Sequence, residues 1–406
     1  MKYTKEEVIQ YVREEDVKFI RLAFCDVYGK QKNISIMPGE LSRAFNDGIS
    51  FDASAILGFG DEVDSDLMLH PDPSTLVVLP WRPDHGRVVR MFCTIKHPDG
   101  RIFECDTRNF LINAIDHATK SGFHFDFGPE LEFYLFKLDE YGNKTYIPYD
   151  EAGYMDIAPE DNGENVRREI CLLLEQMGIS PESSHHEEGP GQNEIDFRYS
   201  DALSAADNTQ TFKTVVKTVA NRNGLWADFS PKPINGKTGN GFHINISASS
   251  TTNEEILPHV IAGILHFTPD MTAFFNPEKD SYARLGQNKA PAYISWSTAN
   301  RSQLIRMPLA VYDRKRIELR SPDPTTNPYI AFALLIHASL YGIQNNMTPP
   351  PESHINLFKI ENTATINLKK LPESLQEAIE VMKNSEFIKK ILSRQIIDVY
   401  STNIVR

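Results

Sequence analysis

Apolar residues recur along this chain at two spacings, and each spacing predicts a different kind of element. A period of two is typical of a strand with one buried face. The charged or polar faces of four such segments are Glu130 with Glu132, Glu194 with Asp196 and Arg198, His243 with Asn245 and Ser247, and Arg316 with Glu318 and Arg320. The apolar faces are Leu131 with Phe133 and Leu135, Ile195 with Phe197 and Tyr199, Phe242 with Ile244 and Ile246, and Ile317 with Leu319. One strand of this kind alone would be an ordinary solvated face. Four together predict a sheet that lines a charged cavity.

The segment Ser183 to Tyr199 reads SSHHEEGPGQNEIDFRY and predicts a β-hairpin. If its turn is centred on Pro190 and Gly191, Glu187 and Glu194 lie opposite each other across the two strands. Because directly opposed like charges destabilise paired strands, we expect a cation to bridge these two carboxylates.

A helical period of 3.6 marks most of the remaining chain. The predicted helices are the charged N-terminal segment KYTKEEVIQYVREED, Phe110 to Gly122, Gly163 to Met177, Asn208 to Asn223, Glu254 to Phe275, Pro328 to Gln344, and Pro372 to about Tyr400. The strand-like runs VKFIRLAF and GRVVRMFCTI precede the second of these helices. We therefore expect a small N-terminal domain over residues 1–103 and a larger domain over residues 104–406. The segment Asn276 to Pro291 has no clear period and predicts a surface loop that could act as a lid over the cavity.

Composition narrows the choice of partners and compartment. The 406 residues carry a net charge of -13, which argues against nucleic-acid binding and against attraction to anionic membranes. The longest apolar stretch, Tyr329 to Leu340, is too short to span a bilayer. The four cysteines are scattered, with no CxxC motif. We therefore expect a reduced, soluble, cytoplasmic protein.

The charged faces share a chemistry that suits divalent metal ions and phosphate. The candidate metal ligands are Glu130, Glu132, Glu187, Glu194, His243 and Glu318. Oxygen ligands with one imidazole favour Mg²⁺ or Mn²⁺, and two ions would divide this set. Near them in sequence are Arg301, Arg306, Arg316 and Arg320. Metal ions with several arginines can hold a nucleoside triphosphate and stabilise a transferring phosphoryl group. The alternative is that these arginines only form salt bridges with the same glutamates. Neither GxxxxGK[ST] nor GxGxxG is present, so no P-loop or Rossmann nucleotide site is indicated.

At these motifs the chain resembles the glutamine synthetase family over nearly its whole length. FDASAILGF is similar to the family's FDGSSI loop, GPELEF to its ExE strand, and HHEEGPGQNEIDF to its most distinctive segment. KPINGKTGNGFHINIS, NRSQLIRMP and RIELRSPDPTTNPY match three further signatures. The resemblance implies an α+β protein in which a small β-grasp domain precedes a catalytic domain, built on a curved antiparallel sheet with flanking helices.

The resemblance also implies a role for each matching residue. Implied metal ligands are Glu132, Glu187 and Glu194 for one ion, and Glu130, His243 and Glu318 for the other. Implied ATP contacts are Arg301, Arg306, Arg316, Asn245 and Ser247, and implied amino-acid contacts are Arg284, Arg320, Gly239 and Thr238. Tyr154 and Asp52 would border an ammonium pocket. On spacing alone Asp52 is a turn residue, whereas the family places it in the active site of a neighbouring subunit, within a homo-oligomeric ring.

The implied reaction has two steps. At two positions, the residues of this chain depart from the part of the family pattern that serves the second step. ATP phosphorylates the γ-carboxylate of glutamate, and ammonia or another amine then attacks the acyl phosphate. Thr238 stands where the family has asparagine, and Lys289 stands where its closing loop has a glutamate that is implied to accept a proton. A protonated Lys289 would repel ammonium and favour an amine that carries a carboxylate or phosphate, unless a neighbouring carboxylate substitutes. Two alternatives to this ligase are a non-catalytic homologue that binds nucleotide or amino acid as a regulatory ring, and another phosphotransferase without an amide product.

Overall fold

The computed structural model describes residues 3–60, 63, 65–82, 85–309, 315–359 and 367–402. Its N-terminal part is a mixed sheet with two helices. The helices are α1 (Lys5–Glu14) and α2 (Leu41–Asn46), and the strands are β1 (Val17–Cys25), β2 (Gln31–Ile36), β3 (Ile49–Asp52), β4 (Asp66–Pro71), β5 (Val77–Val78) and β6 (Arg87–Lys96). The strand order is β2-β1-β6-β4-β3, with β5 also paired to β6. β1 and β6 run parallel, and the other neighbours run antiparallel.

The second part of the chain surrounds a larger sheet with helices. Its helices are α3 (Thr107–Lys120), α4 (Glu164–Gln176), α5 (Ala202–Arg222), α6 (Leu257–Phe275), α7 (Lys279–Arg284), α8 (Pro328–Gln344), α9 (Leu375–Asn384), α10 (Glu386–Ile391) and α11 (Arg394–Ser401). Its strands are β7 (Phe123–Leu138), β8 (Lys144–Pro148), β9 (Pro181–His186), β10 (Gln192–Phe197), β11 (Ser200–Asp201), β12 (Leu225–Asp228), β13 (Phe242–Ser250), β14 (Trp296–Thr298), β15 (Ile305–Met307) and β16 (Ile317–Leu319).

The long strand β7 organises the larger sheet, whose order is β14-β15-β16-β13-β7-β10-β9. Short strands β8, β11 and β12 pair with other parts of β7. All pairs are antiparallel except β14 with β15. One face of the sheet is apolar and fully buried, as the period of two predicts, and Phe127 stacks on Phe332 of α8 with ring centroids 4.2 Å apart. The opposite face is therefore free to carry the charged residues.

The two parts of the chain share one apolar core and a buried ion network. Arg108, at the start of α3, places Nη2 2.9 Å from a carboxylate oxygen of Asp72 and 2.9 Å from one of Asp207. Tyr329 donates a hydrogen bond to Asp207 at 2.7 Å. A guanidinium buried between two carboxylates is stabilised by charge on both sides, so this network fixes the first sheet against α5 and α8.

The predicted helices are present, and the structure corrects three of the segment predictions. The helix predicted from Asn208 begins at Ala202, because Asp201 caps it by accepting from the Ser204 amide. The segment predicted as one helix from Pro372 is divided into α9, α10 and α11, since Ser385 and Ser393 each cap a new helix start. The prediction of a surface loop over Asn276 to Pro291 is wrong, because this segment contains the short helix α7 with a buried Arg284. None of the described helices is long and apolar enough to cross a membrane.

Candidate active site

The hairpin between β9 and β10 has the predicted turn but a different register. The Gln192 amide donates to the Gly189 carbonyl at 2.9 Å, which closes the turn around Pro190 and Gly191. The Glu187 amide donates to the carbonyl of the same residue, Gln192, at 2.8 Å. Gln192 therefore bonds to both Gly189 and Glu187, so the β9 side of the hairpin holds two more residues than the β10 side. As a result Glu194 lies opposite His185, and the predicted pairing of Glu187 with Glu194 is wrong. Tyr199, predicted on the buried face, lies beyond the end of β10 and is 46% exposed.

Opposed carboxylates nevertheless occur one strand further into the sheet. Glu194 on β10 pairs with Glu132 on β7, and Asp196 pairs with Glu130. On the other side of β7, His243 of β13 pairs with Glu130. The argument that directly opposed like charges need a cation therefore applies to the pair of strands β7 and β10.

One group of ligand atoms, which we call the Glu318 cluster, consists of Glu130, His243 and Glu318 with candidate ligand atoms within 4.8 Å of one another. His243 Nδ1 lies 3.5 Å from Glu130 Oε2 and 3.7 Å from Glu318 Oε1. Burial, aided by the nearby charge of Arg320, lowers the pKa of His243 to about 4. The imidazole is therefore neutral near pH 7 and able to bind a metal ion.

Two arginines lie against this cluster. Arg320 Nη1 donates to Glu318 Oε1 at 2.7 Å, and Arg306 Nη1 lies 2.9 Å from Glu318 Oε2, at ion-pair distance but without hydrogen-bond alignment. Arg320 and Glu318 are 3% and 2% exposed. The negative charge of Glu318 is thus balanced within the protein.

A second group, the Glu194 cluster, consists of His185, Glu187 and Glu194 with candidate ligand atoms within 4.8 Å, and Glu132 faces it across the strand pair. Nδ1 of His185 lies 3.6 Å from Glu187 Oε1, and its Nε2 lies 3.9 Å from Glu194 Oε1. Burial raises the pKa of Glu187, and burial with the charge of nearby carboxylates raises the pKa of Glu194 well above its usual range. This half of the site holds carboxylates close together without an arginine among their described ion pairs.

Glu132 is held in place by neutral donors. Its Oε2 accepts from the Gly241 amide at 2.9 Å and from Gln192 Nε2 at 3.0 Å. Burial is the main cause that raises its pKa. A Cβ at Gly241 would come within 2.8 Å of His243 Nε2, 3.0 Å of Arg284 Nη2 and 3.2 Å of Glu132 Oε1. A side chain at position 241 would therefore enter the space among these three groups and displace them.

Arg284 reaches this space from α7. Its Nη1 donates to the Ser321 carbonyl at 2.8 Å, and Nη2 lies 3.4 Å from the Arg320 carbonyl. Gly239 packs on its side chain, where a Cβ would lie 2.4 Å from the Pro231 carbonyl and 2.9 Å from Arg284 Cγ. The fold thus brings the two predicted amino-acid arginines, Arg284 and Arg320, to one buried side of the Glu318 cluster.

The predicted ATP contacts lie along the β13 side of the same face. Asn245 donates to Glu130 Oε1 at 2.7 Å and accepts from Arg316 Nε at 3.0 Å. Ser247 follows on β13 and is partly exposed. Arg301 is exposed in the turn before β15, close enough that its positive charge lowers the pKa of Arg306, after the larger effect of burial. Arginine side chains thus extend from the buried cluster to the surface, as an entry path for an anion requires.

The remaining predicted residues contact β7 and the β9–β10 hairpin. Thr238 offers its carbonyl to Tyr134, whose hydroxyl donates at 2.6 Å. Lys289 Nζ lies 2.5 Å from Glu188 Oε1 and 5.1 Å from the ring centroid of Tyr154. Lys289 is therefore paired with a carboxylate that the sequence motifs did not single out.

Asp52 is not brought to either cluster by the contacts described within this chain. It lies exposed at the end of β3 in the N-terminal sheet, where its Oδ1 accepts from the Ser54 amide at 2.9 Å and from the Ser54 hydroxyl at 2.7 Å. These bonds lower its pKa. Its geometry within one subunit is that of a turn residue.

Three groups beside the candidate metal ligands received no functional role from the sequence. They are His185, Asp196 and the buried pair of His186 with Asp150. His186 Nε2 lies 2.8 Å from Asp150 Oδ1, and the same oxygen accepts from the Gly191 amide at 3.0 Å, which ties the hairpin turn to the loop after β8. The alternation that placed Glu187 and Glu194 on the polar face was a signal for His185 and Asp196 as well. No local signal marks the contact between Asp150 and His186, which are distant in sequence.

Both clusters suit hard divalent cations. Each offers carboxylate oxygens and one imidazole, a set that matches Mg²⁺ or Mn²⁺ better than thiolate-preferring metals. The excess of buried carboxylates in the Glu194 cluster, with raised pKa values, is the condition that a bound cation would relieve. An anion held by the arginines and activated next to two cations is the chemistry that this arrangement can perform.

Comparison with known proteins identifies the class of fold and site. Residues 16–98 match the family model described as glutamine synthetase, beta-Grasp domain, and residues 104–404 match the glutamine synthetase catalytic domain. The chain belongs to the glutamine synthetase family.

Individual relatives agree over nearly the full length. A glutamine synthetase of Clostridium saccharobutylicum is 44% identical over 410 residues, covering 97% of this chain and 93% of that protein. One of Methanosarcina mazei is 44% identical over 412 residues, covering 98% and 92%. A solved structure described as a GmaS/ADP complex has a TM-score of 0.87 at 27% identity, covering 97% of this chain and 93% of that one. The fold also matches Plasmodium falciparum glutamine synthetase, with a TM-score of 0.87 at 24% identity, covering 98% and 94%. The predicted α+β fold and family resemblance are confirmed, although the catalytic sheet is mixed at the β14–β15 pair.

Proposed function

We propose that this protein is an ATP-dependent carbon–nitrogen ligase that forms an amide on the γ-carboxylate of glutamate. The observation that carries the proposal is the pair of carboxylate clusters on one sheet face, with Arg284, Arg306 and Arg320 beside them. A protein that only bound nucleotide or amino acid would have no use for so many opposed buried carboxylates, and the full-length relatives named glutamine synthetase lend the non-catalytic alternative no support.

The family is metal-using, and we assign the ions to the two clusters. Glu130, His243 and Glu318 would hold one Mg²⁺ or Mn²⁺, and Glu132, Glu187 and Glu194 the other. The bound ions would supply positive charge that stabilises the transferring phosphoryl group. Glu132 already accepts two hydrogen bonds on one oxygen, which leaves its other oxygen as the ligand atom.

The chain's own cations would then bind the two substrates. Arg301, Arg306 and Arg316, with Asn245 and Ser247, lie along the path from the surface and would bind ATP, its phosphates held by the arginines. Arg284 and Arg320, with the backbone of Thr238 and Gly239, would hold glutamate so that a γ-carboxylate oxygen reaches the terminal phosphorus of ATP. That oxygen forms the new bond to phosphorus as ADP leaves. The amine nitrogen then attacks the acyl carbon as phosphate leaves, and the nitrogen gives up a proton to phosphate or water as the neutral amide forms.

We further propose that the active enzyme is a homo-oligomeric ring in which Asp52 acts in a neighbour's site. Within each subunit, the boundary between the two domains would lie near residue 103. Asp52 is exposed and far along the chain from either cluster, which is compatible with a role between subunits. Light scattering should report the mass of a particle of several subunits. An inactive Asp52→Ala chain mixed with an inactive Glu194→Ala chain should regain part of the activity. A fully active monomer would refute this assignment.

The function is tested by measuring ADP release with ATP, glutamate and Mg²⁺ in the presence of ammonium or primary amines, with the amide product identified by mass spectrometry. We expect ADP and γ-amide in equal amounts. ADP formation without any amide, for every amine, would favour the other phosphotransferase instead.

A further inference from the structure

Gln192 joins three parts of the site through one buried side-chain amide. It is the first residue of β10 and is fully buried. Its Nε2 donates toward Glu132 Oε2 at 3.0 Å, the Gly239 carbonyl at 3.2 Å and Asn240 Oδ1 at 3.2 Å. Its Oε1 accepts from the Gly189 amide at 3.0 Å. The orientation of the amide is therefore fixed, because a flipped amide would place a donor against another donor and an acceptor against three acceptors.

The three acceptors around Nε2 compete for two hydrogens. A glutamine amide nitrogen carries only two, and a carboxylate is the strongest of these acceptors because it is charged. Among the described hydrogen bonds, the Gly239 carbonyl and Asn240 Oδ1 accept only from Gln192. While Glu132 keeps its full negative charge, it takes one hydrogen, and the other two acceptors share the second.

These two weaker acceptors belong to residues 231–240, which we call the Gly239 loop. Asn240 closes this loop, since its amide donates to the Pro231 carbonyl at 3.0 Å. Gly239 packs on the side chain of Arg284, which we assign to glutamate binding. A second hydrogen given to the loop would therefore fix the backbone against which Arg284 packs.

We propose that Gln192 is a positioning residue that couples cation binding at Glu132 to glutamate binding beside the Gly239 loop. This inference rests on the proposed ligase function and adds a regulation of the same site. When Glu132 Oε1 binds a divalent cation, Oε2 loses part of its charge and becomes a weaker acceptor. Gln192 then gives both hydrogens to the Gly239 loop, which holds Arg284 in place for the amino acid. Because such coupling is reciprocal, glutamate raises the affinity for the cation by the same factor.

Titration of glutamate with and without Mn²⁺ measures this coupling, and ATP is left out so that no turnover occurs. We expect Mn²⁺ to raise the affinity of the wild type for glutamate, and Gln192→Met to reduce that factor about fivefold. Titration of Mn²⁺ with and without glutamate should give the same factors. An unchanged factor in Gln192→Met would overturn the coupling.

The matched control is Tyr134→Phe. It removes another hydrogen bond to the same loop, the one of 2.6 Å from the Tyr134 hydroxyl to the Thr238 carbonyl. No carboxylate takes part in that bond, so Tyr134→Phe should weaken glutamate binding equally with and without Mn²⁺ and leave the factor unchanged. Equal losses of the factor in Tyr134→Phe and Gln192→Met would show that Gln192 only supports the loop, which would also overturn the coupling.

Hydrogen exchange followed by mass spectrometry tests the rearrangement without bound glutamate. In the wild type, Mn²⁺ alone should slow exchange in peptides over residues 231–241 about threefold, while peptides over β8 keep their rate. In Gln192→Met this slowing should be lost. Exchange in the loop that ignores Mn²⁺ in the wild type, or that slows equally in Gln192→Met, would refute the role of Gln192. If glutamate binds neither the wild type nor any variant, the proposed ligase function fails, while the exchange rates still decide whether Gln192 links the cation to the loop.

Discussion

The two carboxylate clusters on the catalytic sheet differ in how their charge is balanced. In the Glu318 cluster, the buried Glu318 has Arg320 at 2.7 Å and Arg306 at 2.9 Å, and Glu130 accepts from Asn245 at 2.7 Å. In the Glu194 cluster, the carboxylates face one another and a histidine, and their pKa values are raised. Since the strands, burial and residue types are alike, the difference lies in the arginines.

This difference indicates that the clusters have different needs for metal. A charge that is already paired gains less from an added cation than a group of carboxylates held together by the fold. The charge of Glu318 is already balanced by Arg306 and Arg320. In the Glu194 cluster the carboxylates repel one another, which destabilises the fold. A divalent ion bound among them would replace this repulsion with attraction.

The largest expected effect comes from removing the balanced carboxylate. Glu318→Ala leaves the buried Arg320 and the partly buried Arg306 without their partner, and breaking a buried pair from one side costs about 3 kcal/mol of unfolding free energy. Denaturant unfolding of metal-free protein measures it, with Glu373→Ala, at an exposed carboxylate paired to Lys370, as the surface control. A loss under about 1 kcal/mol would mean that the arginines find other partners and that the two clusters are alike.

Metal binding should give the next largest effect, and it should depend on the other cluster. Mg²⁺ or Mn²⁺ at about one hundred times its Kd stabilises the folded state by about 2.7 kcal/mol, by mass action. We expect a corresponding rise in melting temperature for the wild type and a much smaller rise for Glu194→Ala. A melting curve that does not move with millimolar metal and ATP would count against both metal assignments.

The sequence predicted the chemistry of this sheet better than its register. Period-two alternation depends only on neighbouring residues, so the polar face of each strand was predictable, and the apolar partners are buried as expected. The pairing of Glu194 depends on how many residues lie in the hairpin bend, and two extra residues after His186 moved it from Glu187 to His185. Turn signals locate a bend without fixing the register beyond it.

Contacts between distant segments were the other part that the sequence could not predict. Nothing near Glu188 indicates that Lys289 will pair with it, because the contact is made by α7 and the chain turning back over the hairpin. The same applies to Arg284, which belonged to a segment predicted as a surface loop and is buried. In the C-terminal segment the signals were present, since serines precede each new helix, but apolar periodicity alone joined the helices into one.

A smaller effect, of opposite sign to that of Glu318→Ala, should follow a neutral substitution in the Glu194 cluster. Glu194→Gln keeps the shape of the side chain and removes its repulsion with Glu132 across the strand pair. We expect metal-free protein to gain about 1 kcal/mol of unfolding free energy, while the metal-dependent rise in melting temperature is largely lost. If Glu194→Gln destabilises the metal-free protein as Glu318→Ala does, the distinction between the clusters fails.

The smallest expected effect is the pH dependence of the unfolding free energy that Glu194→Gln gains over the wild type. Burial first, and then the charges of Asp196 and Glu132, raise the pKa of Glu194 in the folded protein well above its usual range. A carboxyl group with a raised folded pKa contributes stability below its unfolded pKa, and this contribution is lost as pH rises through the folded pKa. Wild-type protein therefore loses this contribution on going from acidic to neutral pH, whereas Glu194→Gln has no such group to titrate. The difference in unfolding free energy between Glu194→Gln and wild type, measured in chelator at several pH values, should increase with pH. A difference that stays constant or decreases would show that Glu194 is ionised in the folded protein throughout, with its charge balanced by groups other than a metal ion.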